Sequence, residues 1–210
     1  MKLYLVRHAQ SERNQGKEHD KLSETGIEQA KRLGLFLKNK HIDYIYCSEK
    51  ERAKETLDFI FNYIKKVPTV YTKGINERDQ GIFEGKSQKE YFFHEIELKS
   101  KGVDLLTHVP DGGESYLEVE KRAQTFLELI KNKHKFNDHI LLVSHSAFLG
   151  MFVLRLMKLN IKEFQYFAIH NASLSTFELD EDFNVKDFEI DDFKHLLKYS
   201  SYEREKVERV

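Results

Sequence analysis

The chain has 210 residues, 40% of them hydrophobic and 33% charged, the proportions of a globular protein able to bury a real core. Its 34 lysines and arginines offset 35 aspartates and glutamates, which leaves no net field to draw it to nucleic acid or to an anionic membrane. No apolar run approaches the roughly 20 residues needed to span a bilayer, the N-terminus lacks the apolar core and cleavage site of a signal peptide, and the lone Cys47 excludes an internal disulfide and a cysteine zinc site; a cytoplasmic location is the expectation.

Residues 2–6 (KLYLV) read as a buried strand that runs straight into Arg7 and His8. Thr25–Lys40 puts Ile27, Ala30, Leu33, Gly34 and Leu37 on one face of a helix. Ile42–Cys47 is a second strand, and Glu49–Lys65 repeats Ala53, Leu57, Ile60, Phe61 and Ile64 at helical spacing. Thr69–Thr72 is a short strand. The stretch KGINERDQGIFEGKS, with three glycines and six charged residues, is too polar and too broken for an element and reads as a loop. Gln88–Lys101 is expected as an inserted helix. PDGGES at 110–115 is turn chemistry, and Ser115 is placed to cap a helix running to about Lys133. His139–Ser144 (HILLVS) is the second strongly buried strand, Ala147–Lys158 a helix, and Leu174–Leu179 an alternating strand near a sheet edge. From Lys194 to residue 210 the charged sequence predicts a surface helix or a loose tail. No repeat or linker interrupts the chain, so residues 1–210 are expected to form one domain, with 86–109 inserted as a lid.

Strands alternating with helices predict an α/β fold, a three-layer sandwich whose mainly parallel central sheet is flanked by helices. In such sheets ligands bind beyond the carboxyl ends of the strands. Arg7 and His8 stand where the first strand stops, and LLVSHS at 141–146 repeats the pattern with His145. Either histidine alone reads as a structural residue. Two of them at the ends of two buried strands, with Arg7 beside one, point to a shared pocket.

LVRHAQSERN, LSETGIEQA, CSEKERAKET, INERDQGIFEG, GGES and VSHS, in that order from about residue 2 to residue 150, resemble the histidine phosphatase superfamily, the phosphoglycerate mutase-like family. The opening signature, commonly Arg-His-Gly there, is Arg-His-Ala here, with Ala9; the later Ser-His-Gly is Ser-His-Ser, with Ser146. Each puts a small side chain where the family commonly has none. The resemblance implies two-step phosphoryl transfer through a phosphohistidine. His8 would be the nucleophile, a neutral imidazole whose other nitrogen is fixed as a donor. Arg7 and Arg52 would grip the phosphoryl oxygens with planar, two-pronged donors, and His145 would add another, as the imidazolium beside a dianion. Without the resemblance, Arg52 reads as a solvated residue on a charged helix. Asn14 and Ser146 match phosphate-pocket positions, although a loop asparagine also suits a plain turn. A departing alkoxide needs a proton. The resemblance assigns the acid to Glu77, whereas spacing alone does not separate Glu77 from Asp79 and Glu84, the last of which suits a structural pairing.

The resulting expectation is a metal-independent phosphatase acting on a small phosphorylated metabolite, with no cofactor, no metal, and no nucleic-acid or membrane partner; a homodimer is left open. The ten histidines do not make a metal site: His134 and His139 lack same-face helical spacing, and His41, His94, His108 and His170 read as surface or incidental residues. A non-catalytic phosphate-binding member is disfavoured by the full set of candidate residues. A cofactor-dependent phosphoglycerate mutase is the remaining alternative. Mutases of this kind carry a longer segment with paired arginines for a substrate carboxylate, whereas Gly85–Asp111 has no arginine and only Lys86, Lys89, Lys99 and Lys101 as cations. Tyr91, Phe92, Phe93 and His94 in the expected lid are placed to meet substrate or to pack. Activities like those of fructose-2,6-bisphosphatase and α-ribazole phosphatase fall within the same class.

Overall fold

Alternation within the apolar runs decides the architecture. In the computed structural model, which describes residues 1–16, 19–86, 88–166 and 169–196, β1 (Lys2–Arg7) sends Leu3 and Leu5 to one face of the sheet and Tyr4 and Val6 to the other. β2 (Tyr44–Ser48), β3 (Thr69–Thr72) and β4 (His139–Ser144) run parallel with it. β5 (Leu174–Leu179) and β6 (Val185–Asp192) extend one edge antiparallel. The order β3-β2-β4-β1-β5-β6 sets β1 and β4 side by side in the middle, with Arg7 opposite Ser144 at their carboxyl ends. Both faces of these two strands are covered, which is why they read as unbroken apolar runs.

The helices make the outer layers. α1 (Glu24–Leu37) and α2 (Glu51–Ile60) pack on Tyr4, Val6, Ile45, Cys47 and Val143. α4 (Tyr116–Lys133) and α5 (Ser146–Leu156) cover Leu3, Leu5, Ile140 and Leu142 through Phe126, Phe148 and Phe152. Each fully buried side chain of this size contributes roughly 1.5–3 kcal/mol. Ser115 caps α4 as expected: its Oγ accepts from Glu118 N at 3.2 Å, and Glu118 accepts from Ser115 N at 2.7 Å. α1 starts hard against the loop that follows β1, since a Cβ on Gly26 would stand 1.9 Å from the Gln10 carbonyl oxygen. α3 (Gln88–Ser100) packs on the loop before it, with Tyr91 and His94 against Phe83.

Several boundaries differ from expectation for identifiable reasons. α2 stops at Ile60, well short of Lys65, yet Phe61 and Ile64 still pack on the core from the turn that follows, so the apolar period outlasts the helix. β5 lies near the sheet edge as expected, with β6 beyond it as an antiparallel edge strand not expected from the sequence. Lys194–Leu196 form a short 3-10 turn against α1 rather than a surface helix: Leu196 is buried and His195 stacks on Phe36 at 4.8 Å. The rest of the expected tail, residues 197–210, lies outside the described residues. No described helix is long and apolar enough to cross a membrane.

Candidate active site

The end of β1 is fixed from three sides. His8 N donates to Ser144 O at 2.9 Å, continuing the β1–β4 ladder past the strand. Asn171 Nδ2 donates to His8 O at 2.9 Å and Ala172 N to Arg7 O at 3.0 Å. Ala9 N donates at 3.0 Å to Thr56 Oγ1, which in turn donates to Arg52 O on α2. Held this way, the His8 ring is buried, and its Nδ1 lies 2.7 Å from Ala9 O. A carbonyl oxygen only accepts, so Nδ1 carries the proton and Nε2 keeps its lone pair. Arg52 Nε donates to that Nε2 at 3.1 Å. Burial, then Arg52, then Arg7 hold the His8 pKa well below the ordinary histidine value, with the Ala9 bond opposing them. The ring is therefore neutral at working pH.

Two guanidiniums flank it. Arg7 Nη1 donates to Ile169 O at 2.5 Å. Arg52 is 5% exposed, a buried residue beside the His8 ring and not the solvated one that its charged helix suggests; Asp20 pairs with its Nη1. His145 completes the cluster, its ring centroid 5.0 Å from that of His8. Its Nε2 is 2.6 Å from Ser48 Oγ at the end of β2. Burial, then Arg52, then His8 depress its pKa well below the ordinary value, so the ring is neutral. The imidazolium expected from sequence is not the form this surrounding favours.

The acid loop is tied to the same strand ends. Ser144 Oγ donates to Ile75 O at 2.6 Å, and Ile75 is fully buried. Arg122 donates to Gly74 O at 2.9 Å and Asn76 O at 3.3 Å while paired with Glu114. The three loop carboxylates, indistinguishable by spacing, have different partners here. Glu77 Oε1 accepts from Ala147 N at 3.1 Å and from Arg78 N at 3.0 Å, which seats it at the N-terminus of α5, two residues from His145. Asp79 Oδ1 accepts from Gly81 N at 2.8 Å within its own turn. Glu84 pairs with Arg13 at 3.1 Å and Lys50 at 3.7 Å. Gly81, at φ +56°, lets that turn approach Asp111 O, 2.1 Å from where a Cβ would sit.

The chain around these two histidines and two buried arginines is similar to known proteins. The profile of the histidine phosphatase superfamily, branch 1, matches residues 3–189. Phosphoserine phosphatase 1 of Hydrogenobacter thermophilus is 33% identical over 88% of this chain and 90% of its own. The adenosylcobalamin/α-ribazole phosphatase of Salmonella typhimurium is 28% identical over 87% and 93%. A solved histidine-to-alanine variant of phosphoserine phosphatase from Entamoeba histolytica, in complex with phosphoserine, superposes with a TM-score of 0.73 at 27% identity, over 93% of this chain and 98% of that one. The chain belongs to the histidine phosphatase superfamily. It is a phosphatase of small phosphorylated molecules, a phosphoric monoester hydrolase.

Within this histidine phosphatase, the departures from glycine have a place. Ala9 is fully buried, its methyl among the apolar residues beneath α1 and α2, and Ser146 opens α5 half-buried. Asn14 Oδ1 accepts from Ser11 N at 2.9 Å and Ser11 Oγ at 3.0 Å, so its carbonyl serves the turn. Sequence reasoning missed Ser48, Asn76, Asp20, Asn171 and Arg78. Arg78 is buried: its guanidinium lies 4.0 Å over Tyr116 and donates to Glu114 O at 2.7 Å, to Glu95 at 3.1 Å and to Tyr91 Oη. It anchors α3 next to the acid loop. Burial raises the Tyr91 and Tyr116 hydroxyl pKa values, which keeps both as neutral donors. His170, read as incidental, bonds through Nδ1 to Asp191 at 2.5 Å, beside the Ile169–Ala172 segment that holds Arg7 and His8.

Proposed function

We propose that this phosphatase passes the phosphoryl group of its substrate to Nε2 of His8 and then to water. The observation that carries the reading is the Nδ1–Ala9 bond, which leaves the Nε2 lone pair among Arg52, Arg7 and His145. The lone pair attacks phosphorus as the ester P–O bond breaks. Charge gathering on the phosphoryl oxygens meets the Arg7 and Arg52 guanidiniums held beside Nε2, the Arg52 Nε–H passing from Nε2 to a phosphoryl oxygen as the lone pair is used. The leaving oxygen takes a proton from Glu77. Because Oε1 accepts two backbone N–H bonds, Oε2 is the oxygen that holds this proton. In the second step the Glu77 carboxylate takes a proton from water, the hydroxide displaces Nε2, and phosphate leaves.

For the substrate, we favour a small alcohol bearing charges of both signs, such as the serine moiety of phosphoserine. A cavity of about 350 Å³ beside Glu77 is lined by Lys50, Lys73, Asn76, Asp79, Glu114, Glu118 and Arg122, with no aliphatic or aromatic side chain among its described residues. It offers cations to a carboxylate and carboxylates to an ammonium, and little to an aromatic base. A panel of phosphorylated metabolites, with phosphoglycerate mutase activity assayed in parallel, tests this. Phosphoserine is expected to exceed α-ribazole phosphate in kcat/KM by on the order of tenfold or more; the reverse order would refute the substrate class.

A further inference from the structure

Ser48 and Asn76 form a hydrogen-bond chain to His145 whose direction is forced. Asn76 bonds both Glu49 N at 3.0 Å and Ser48 Oγ at 2.7 Å through one side-chain atom. A backbone N–H only donates, so that atom is the amide oxygen. The oxygen carries no hydrogen, so the Ser48 hydroxyl must give it its only proton; otherwise two lone-pair oxygens would face each other at 2.7 Å. Ser48 Oγ already accepts from Lys50 N at 3.2 Å, and toward His145, at 2.6 Å, it has only a lone pair left. The His145 proton therefore sits on Nε2. Nδ1 is left buried with no hydrogen-bond partner among the described residues, beside the His8 ring.

We propose that Asn76, acting through Ser48, locks His145 in the Nε2–H tautomer, so that His145 donates to the phosphoryl group only after its Nδ1 has taken up a proton with the incoming dianion. This rests on the reading of His145 as a phosphate ligand. Toward His145 the two act as positioning residues: Ser48 bonds the ring, Asn76 orients the Ser48 hydroxyl, and together they decide which nitrogen is bare. The charged and titratable groups around the ring are Arg7 and His8 at the end of β1, Lys50 and Arg52 at the start of α2, and Glu77 on the acid loop. The cations oppose a proton on Nδ1 until a dianion offsets them. Binding is then linked to proton uptake, and dianion affinity falls as pH rises.

Tungstate, an unreactive tetrahedral dianion, is the probe. With ¹⁵N-labelled histidine, NMR of the free wild-type enzyme should show His145 neutral with its proton on Nε2; with tungstate, both of its nitrogens should be protonated. Tungstate affinity should fall tenfold per pH unit between about pH 7 and about pH 8, one proton being linked. Ser48→Ala and Asn76→Leu release the Nε2 end of the ring, permit the Nδ1–H tautomer and should flatten that slope, whereas Ser48→Thr keeps the hydroxyl and the slope. A variant that fails to fold is replaced by the other, and the wild-type spectra stand on their own. A free enzyme with the proton on Nδ1, or a slope unchanged in Ser48→Ala and Asn76→Leu, overturns the proposal. If tungstate leaves the His145 signals unmoved and binds His145→Asn as tightly as wild type, the phosphate-ligand reading itself fails.

Discussion

At the β1–β4 end of the cleft, Arg7, His8, Arg52 and His145 are each 6% exposed or less, and backbone carbonyls, amides and buried hydroxyls fix the His8 ring and the chain around it. Across from them, buried Ile75 and Arg78 fix the base of the acid loop and α3, while the outer part of the loop is held by side chains meeting at part-exposed surfaces: Glu84 on Arg13 and Lys50, and Arg122 on Glu114. The first region is shaped before anything binds, as charge stabilisation in a transition state requires. The second can exchange residues without disturbing the sheet, as loops that set specificity do. On the proposed mechanism, the difference puts chemistry on one side and choice of leaving group on the other, with the proposed acid Glu77 joining them.

Removing that join gives the largest effect. Glu77→Gln keeps the shape but has no proton to give, so phosphorylation by an alkyl ester should slow about 10²–10⁴-fold. The p-nitrophenyl ester, whose phenoxide departs unprotonated, should slow far less. Asp79→Asn and Glu84→Gln should show no such contrast, and equal losses on both esters in Glu77→Gln would move the acid elsewhere. Arg52→Lys, on the buried side, should cost about 10²–10³-fold and should cost it equally for the two esters, since the phosphoryl group is common to both. A loss that depended on the leaving group would break the division between the two sides.

Acid stability sharpens the same contrast. His8 and His145 are buried neutral with pKa values below the ordinary one, so in the window below about 6.5 the unfolded chain binds protons that the folded chain does not. Stability is present above that window and is lost as pH falls through it, at most about 1.4 kcal/mol per pH unit for each ring. Denaturant unfolding of a His8→Gln, His145→Gln double variant should show a flatter acid arm; an unchanged arm would place the acid sensitivity outside the cradle. The smallest expected effect is none: turnover should survive prolonged chelation, because every role proposed above is filled by a side chain. Loss on chelation, with recovery on adding a divalent ion, would contradict that.

The buried side was also the more legible in sequence. Leu3–Val6 and Ile140–Val143 are unbroken apolar runs because both faces of β1 and β4 are covered, and a polar residue after such a run marks the mouth of a parallel sheet. That rule pointed to Arg7, His8 and His145. It also applies to Ser48 at the end of β2, but a serine there looks like any turn former. Arg7's carbonyl partner, Ile169, is 162 residues away, and a backbone acceptor leaves no mark on residue identity. β6 was missed because an edge strand with one face in solvent, VKDFEIDD, shows little apolar pattern. The partners of Asp79 and Glu84 are set by loop geometry that spacing does not encode.

The central claim is that phosphorus is carried by Nε2 of His8. Rapid alkaline quench of the enzyme mixed with radiolabelled phosphoserine, followed by peptide mapping at high pH, tests it most directly. A label on His8 that is stable to base and labile to acid is predicted, and His8→Ala should lose both label and turnover while keeping its near-UV circular dichroism. Label on His145 or on a serine, or full turnover in His8→Ala, would contradict the account.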